Sequence, residues 1–180
     1  MVAVCAVGAA NAAAATFAVT NADDSGDGSL RGAIGQANAA SGADTVVFAS
    51  GVTGTILVRS AIAITDPVTI IGPGQGQLTL RGSALTRILA IDARGAVEIR
   101  GLALVGASAL GDRGGAISAA QVPGDMLTVS ACRFEDNVAS AGGAIATDRA
   151  VGASSGGSLT VMDSTFDDNR ATVDVGGAIA

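Results

Sequence analysis

One short pattern recurs along the chain: apolar, polar, apolar. It occupies Val68-Thr69-Ile70, Val97-Glu98-Ile99, Leu127-Thr128-Val129 and Leu159-Thr160-Val161, and the starts are about 29, 30 and 32 residues apart. Alternation with a period of two belongs to a strand with one face buried, and a spacing near 30 residues belongs to stacked repeats. Two further strand-like pieces lie between successive anchors. After the anchor come Leu78-Thr79-Leu80, Leu102-Ala103-Leu104, Cys132-Arg133-Phe134 and Thr165-Phe166; before the next come Ile88 to Ile91, Ala116-Ile117 and Ala144-Ile145. The pattern predicts an all-β chain, a parallel β-helix with three short strands per coil of about 30 residues. Successive coils would stack strands about 4.8 Å apart and align each inward side chain over its counterpart.

Composition fits such a coil better than a single globular core. Of 180 residues 49% are hydrophobic but only 2% aromatic, with 26 Gly and no His, Trp or Tyr. Small and β-branched side chains suffice for a narrow stacked column, and glycines supply the positive-φ corners. The formal charge is −6, and all ten basic residues are singly scattered Arg. That surface is a poor match to nucleic acid, which needs a clustered positive footprint. Without His, the chain has no Ser-His-Asp, Cys-His or His-zinc chemistry of its own. Cys5 and Cys132 lie far apart, and no structural disulfide is expected.

The termini differ from the middle. Residues 1–15 are an Ala-rich apolar run with small residues at Ala12-Ala13-Ala14, which reads as a truncated signal peptide lacking its basic opening; the alternative is a first strand. No later stretch is long enough to span a bilayer. Residues 16–43 read as an N-terminal cap with a short helix over 29–39, because Ser29 is a good N-cap and Leu30, Ile34 and Ala37 share one helical stripe. A cap is needed to cover the apolar end and the strand edges of the first coil. Residues 44–180 read as the coil repeats.

Two tetrapeptides sharpen the reading. Gly-Gly-Ala-Ile occurs at Gly114, Gly115 and Ile117, at Gly142, Gly143 and Ile145, and at Gly176, Gly177 and Ile179; Phe-x-x-Asn occurs at Phe134 and Asn137 and at Phe166 and Asn169. In these motifs the chain resembles the polymorphic outer-membrane-protein type of right-handed parallel β-helix. Upstream, Gly28-Ser29-Leu30-Arg31-Gly32-Ala33-Ile34 resembles the opening region of bacterial secreted β-helix proteins with a CSLREA-type motif, with Gly28 in place of its Cys and Gly32 in place of its Glu. The resemblance covers about residues 16–180. It implies a secreted or cell-surface protein associated with the outer membrane, with an adhesin-like or scaffolding role toward surface glycans or cell-surface proteins. The last motif falls within a repeat, so the natural protein is expected to continue into further repeats and an anchor.

Candidate chemistry is sparse. Asp23, Asp24 and Asp27 could offer hard oxygens to calcium, but their spacing fits no full EF-hand or nonapeptide pattern, and an Asx turn leading into the helix is the favoured reading. No cofactor is otherwise expected. The Asp136-Asn137 and Asp167-Asp168-Asn169 turns are read as hydrogen-bonding between coils. Arg59, Arg81, Arg94 and Arg100 with Asp66 and Asp92 would form a saccharide groove if they shared one face, as a lyase or hydrolase requires; solvated outer-face arginines are the simpler reading. Cys132 beside Arg133 falls in a strand slot and is read as a small buried residue. The chain is therefore expected to be non-catalytic, and a carbohydrate-active β-helix enzyme is the competing reading.

Overall fold

A computed structural model describes residues 13–83, 85–149, 156–173 and 176–180. Cys5 and residues 1–12 of the expected signal peptide lie outside the described residues. The chain begins with β1 (Thr16–Val19) and α1 (Leu30–Ala39), and then winds through five coils. The first holds β2 (Asp44–Phe48), β3 (Gly54–Val58) and β4 (Ile62–Ile64); the second holds β5 (Val68–Ile71), β6 (Leu78–Gly82) and β7 (Leu89–Ile91). The third holds β8 (Ala96–Arg100), β9 (Ala103–Val105), β10 (Ser108–Arg113) and β11 (Ile117–Gln121). The fourth holds β12 (Met126–Ser130), β13 (Arg133–Glu135), β14 (Val138–Ala141) and β15 (Ile145–Arg149). The fifth holds β16 (Ser158–Met162), β17 (Thr165–Asp167) and β18 (Arg170–Ala171).

Strands stack across coils into parallel sheets, so the chain is a parallel β-solenoid. The first sheet runs β1-β2-β5-β8-β12-β16, the second β3-β6-β9-β13-β17 and the third β4-β7-β11-β15. A fourth, β10-β14-β18, corrects the expectation of three strands in every coil. The extra strand starts where a residue in left-handed conformation, Gly106, Asp136 or Asp168, turns the chain after β9, β13 or β17. Ala107, Asn137 or Asn169 follows and opens the new face. Among the described residues, the first two coils show no such corner.

Register keeps like over like. In the first sheet Val46, Ile70, Ile99, Val129 and Val161 form one inward column, and Thr16, Thr45, Thr69, Glu98, Thr128 and Thr160 form an outward one. In the second, Ile56, Leu80, Leu104, Phe134 and Phe166 align. The Phe134 and Phe166 rings stack with centroids 4.9 Å apart and planes 4° from parallel, a contact worth about 1 kcal/mol beyond its area. In the third, Ile62, Leu89, Ile117 and Ile145 align, and an isolated bridge sets Ile179 on Ile145.

The N-terminal end is closed by side chains of the Ser-Leu-Arg segment. Ser29 Oγ accepts from the Gly32 amide at 3.1 Å and donates to the Gly26 carbonyl at 2.7 Å, while Leu30, Ala33, Ile34 and Ala37 face the core. Arg31 fastens the helix to the first coil: its guanidinium donates to the carbonyls of Ser60 (2.6 Å) and Ala61 (3.0 Å) and pairs with Asp24 (3.0 Å). Asn38 donates to the Ala63 carbonyl at 2.8 Å and accepts from the Thr65 amide at 2.9 Å, which occupies the free edge of β4. Gly28 has φ +75°, and a Cβ there would stand 2.2 Å from Thr20 Oγ1, so this cap has no room for the motif's Cys.

Two outcomes test the stack. Val129→Asp or Ile99→Asp should abolish cooperative thermal unfolding followed by circular dichroism, because both positions are fully buried and the column cannot solvate a charge; Thr128→Ser, facing outward, should change stability by no more than about 0.5 kcal/mol. Ala131 holds φ 49° where the preceding coil has Gly101. Ala131→Gly should therefore raise stability by about 0.5 kcal/mol in urea titration, the relief of the left-handed strain exceeding the entropy glycine adds to the unfolded chain.

Candidate functional site

Small outward residues on the third sheet leave a hollow. Ala63, Ala90 and Ser118 lie in register on β4, β7 and β11, and with Thr65, Asp92, Arg94 and Ala120 they line an open trough of about 670 Å³. One wall carries a charge cluster. Arg94 donates to Asp92 Oδ1 at 2.9 Å, to Asp125 Oδ2 at 3.3 Å and to the Ala120 carbonyl at 3.0 Å.

Asp125, which the sequence reading missed, organises that wall. It is 5% exposed and accepts the Gly95 amide on Oδ1 and the Val122 amide on Oδ2, both at 2.8 Å. Burial pushes its carboxyl up, but the Val122 and Gly95 amides and the Arg94 guanidinium outweigh it and hold it below the ordinary carboxylate value. Its only sequence signal is the turn-forming Pro123-Gly124-Asp125. A carboxylate with donors on both oxygens is a poor proton acceptor, and an arginine stays charged at any working pH. The cluster therefore orders the wall and presents a half-exposed guanidinium to the trough.

The other candidate arginines do not join it. Arg81 lies on β6 in the second sheet and Arg100 ends β8 in the first, 3.9 Å from Glu98. Arg59 sits in the corner after β3, where its amide donates to Asp24 Oδ1 at 3.2 Å, and Asp66 precedes β5. Of that proposed groove, the structure unites only Arg94 and Asp92. A second hollow, near 350 Å³, lies beside Leu85 and Arg87. There Arg87 pairs with Asp112 at 2.8 Å; burial raises the Asp112 carboxyl, and the Arg113 amide and Arg87 more than reverse that.

The acidic turn joins the cap through the Asp24 carboxylate and through backbone atoms of Asp23 and Asp27. Asp23 donates its amide to Asn21 Oδ1 at 3.1 Å, Asp24 pairs with Arg31, and the Asp27 carbonyl accepts from Asn21 Nδ2 at 2.9 Å. Among the described residues no three Asp, Glu, Cys or His side chains converge as a metal site. Cys132 is free and buried, and its thiol donates to the Ser130 carbonyl at 3.2 Å. Burial pushes the Cys132 thiol above its ordinary value despite nearby backbone hydrogen bonds.

The repeated tetrapeptides build corners. Gly114, Gly142 and Gly176 have φ of +69°, +57° and +81°. A Cβ on Gly115 would stand 2.2 Å from the Gly143 carbonyl oxygen, and one on Gly143 2.3 Å from that of Gly177, so the second glycine admits the next coil's backbone. Asn137, fully buried, accepts the Ala107 amide at 3.0 Å and donates to Leu104 O and Asn169 Oδ1, both at 2.9 Å; Asn169 in turn donates to Phe134 O at 3.0 Å. The amide ladder thus crosses three coils with Asn137's donors and acceptor all used.

No protein-family model matches the chain, and no curated protein matches it in sequence. No helix among the described residues is long and apolar enough to cross a membrane.

Asp125 gives the site a pH signature. Because its folded value is depressed, the stability it contributes is present above the unfolded carboxylate pKa of about 3.9 and is lost as pH falls through the lower folded value. Urea titrations at pH 7 and pH 3 should show a larger acid loss for the wild type than for Asp125→Asn, which should also be less stable at pH 7 by about 1–3 kcal/mol.

Proposed function

We propose that this protein is a non-catalytic, secreted or cell-surface β-helix that acts as an adhesin-like or scaffolding element and presents its faces to surface glycans or cell-surface proteins. The observation that carries the reading is the trough wall: Arg94 pairs with both Asp92 and Asp125, and Asp125 is further bound by two amides, which supports a recognition surface without a poised base. The Gly-Gly-Ala-Ile and Phe-x-x-Asn repeats, the Ser-Leu-Arg cap and the resemblance they carry to polymorphic outer-membrane proteins support export and surface display. A stacked backbone ladder that resists proteolysis suits that task.

One observation favours the runner-up, a carbohydrate-active enzyme. The trough crosses β4, β7 and β11 and is lined in part by Asp92 and Arg94. Lyase and hydrolase assays on acidic polysaccharides separate the two. The display reading expects no turnover, and expects retention on immobilised surface glycans or cells that weakens on Arg94→Ala. Turnover lowered on the order of 100-fold by Arg94→Ala or Asp92→Asn would overturn it.

A further inference from the structure

A second inward column of the first sheet begins with a charged residue. Asp44 begins β2 in register with Val68 and hence with Val97, Leu127 and Leu159, and only 1% of it is exposed. Its Oδ1 accepts the Ala15 amide at 2.7 Å, while Oδ2 has no hydrogen-bond partner among the described residues. A half-satisfied buried carboxylate is costly to keep, so the missing donor needs an explanation. The nearest donor atom already names it. Ala15 is also, among the described residues, the first tied into the solenoid, its carbonyl accepting from the Thr45 amide at 2.8 Å, whereas Ala13 and Ala14 are exposed.

We propose that the Ala14–Ala15 peptide bond is the leader-processing site, and that Asp44 receives the α-ammonium group that cleavage there creates. The proposal rests on the export reading given above. In the hydrolysis, a leader peptidase acting in trans adds water across the bond: the Ala14 carbonyl carbon takes the hydroxyl and leaves as a carboxylate, and the Ala15 nitrogen takes the protons. One amide N–H thereby becomes three donors carrying a positive charge. One donor keeps Oδ1, and a second is available to Oδ2.

The geometry also chooses among registers. Within residues 10–15, small-x-small spacing allows cleavage before Ala13 (Ala10, Ala12), before Ala15 (Ala12, Ala14) or before Thr16 (Ala13, Ala15). Only cleavage before Ala15 puts the new ammonium 2.7 Å from the buried carboxylate. Earlier cleavage leaves a neutral amide at that position, and later cleavage removes the contact.

The test is N-terminal sequencing of the protein from the exported fraction of the cells that naturally make it. Ala15 as first residue is expected. Export with Ala13, Thr16 or another residue first overturns this proposal and leaves the export reading standing; an unprocessed chain retained in the cytoplasm overturns both. A second readout uses the absence of lysine from residues 15–180, so that labelling of the N-terminal peptide, read by mass spectrometry, reports the α-amine alone. Toward an amine-reactive acetyl ester, the folded exported protein should react roughly tenfold or more slowly than Asp44→Asn or the same protein in urea. Equal rates for the folded and urea-unfolded wild type, a comparison that does not depend on the variant's folding, would overturn the assignment.

Discussion

In-register stacking of like residues is the constraint on which the rest of this structure depends. Each rung must offer its neighbours a backbone ladder and a side chain that fits both the one above and the one below. Valine and isoleucine satisfy this along the first sheet, stacked phenylalanines do so at Phe134 and Phe166, and an amide does so at Asn137 and Asn169. The glycine pairs obey the same rule in reverse, since at Gly115 and Gly143 any side chain would collide with the next coil's backbone. Outside, threonine follows threonine over most of the first sheet. A core assembled rung by rung has no need of aromatic anchors, which reconciles 2% aromatic content with an ordered chain.

The same constraint accounts for where charge is allowed. Asp125 can be buried because three donors surround it, while Asp44, in a column otherwise apolar, holds one donor and lacks a second. The first organises the wall of the third-sheet trough. The second lies against Ala15, whose amide it accepts. Arginines recur at corners and edges where guanidinium groups can tie one coil's carbonyls to another's, as Arg31 does to Ser60 and Ala61 and Arg87 to Gly114. Internal pairing of this kind ties neighbouring coils together at their corners.

Much of the fold was legible because period-two alternation repeats at near-constant spacing, and each repeat reinforces the others. The cap helix was legible for a local reason, Ser29 with its apolar stripe. The fourth sheet was not: β10 and β14 follow single left-handed residues, and segments such as Val138-Ala139-Ser140-Ala141 are too short and too alanine-rich to alternate clearly. The site was less legible still. Arg59, Arg81 and Arg100 look equivalent to Arg94 in the sequence, yet three-dimensional position around the coil separates them. Asp125 read as one more turn aspartate, because its burial depends on residues a coil away.

The most direct test of stacked, in-register coils is a set of electron paramagnetic resonance distances along the outward threonine column. Spin labels would replace Thr45 and Thr128, Thr45 and Thr160, or Thr16 and Thr160, in a background without Cys5 and Cys132; these pairs are three, four and five rungs apart. The account predicts backbone separations of about 14, 19 and 24 Å, rising by about 4.8 Å per coil. Distances that fail to rise in equal steps, or that spread broadly, would contradict it.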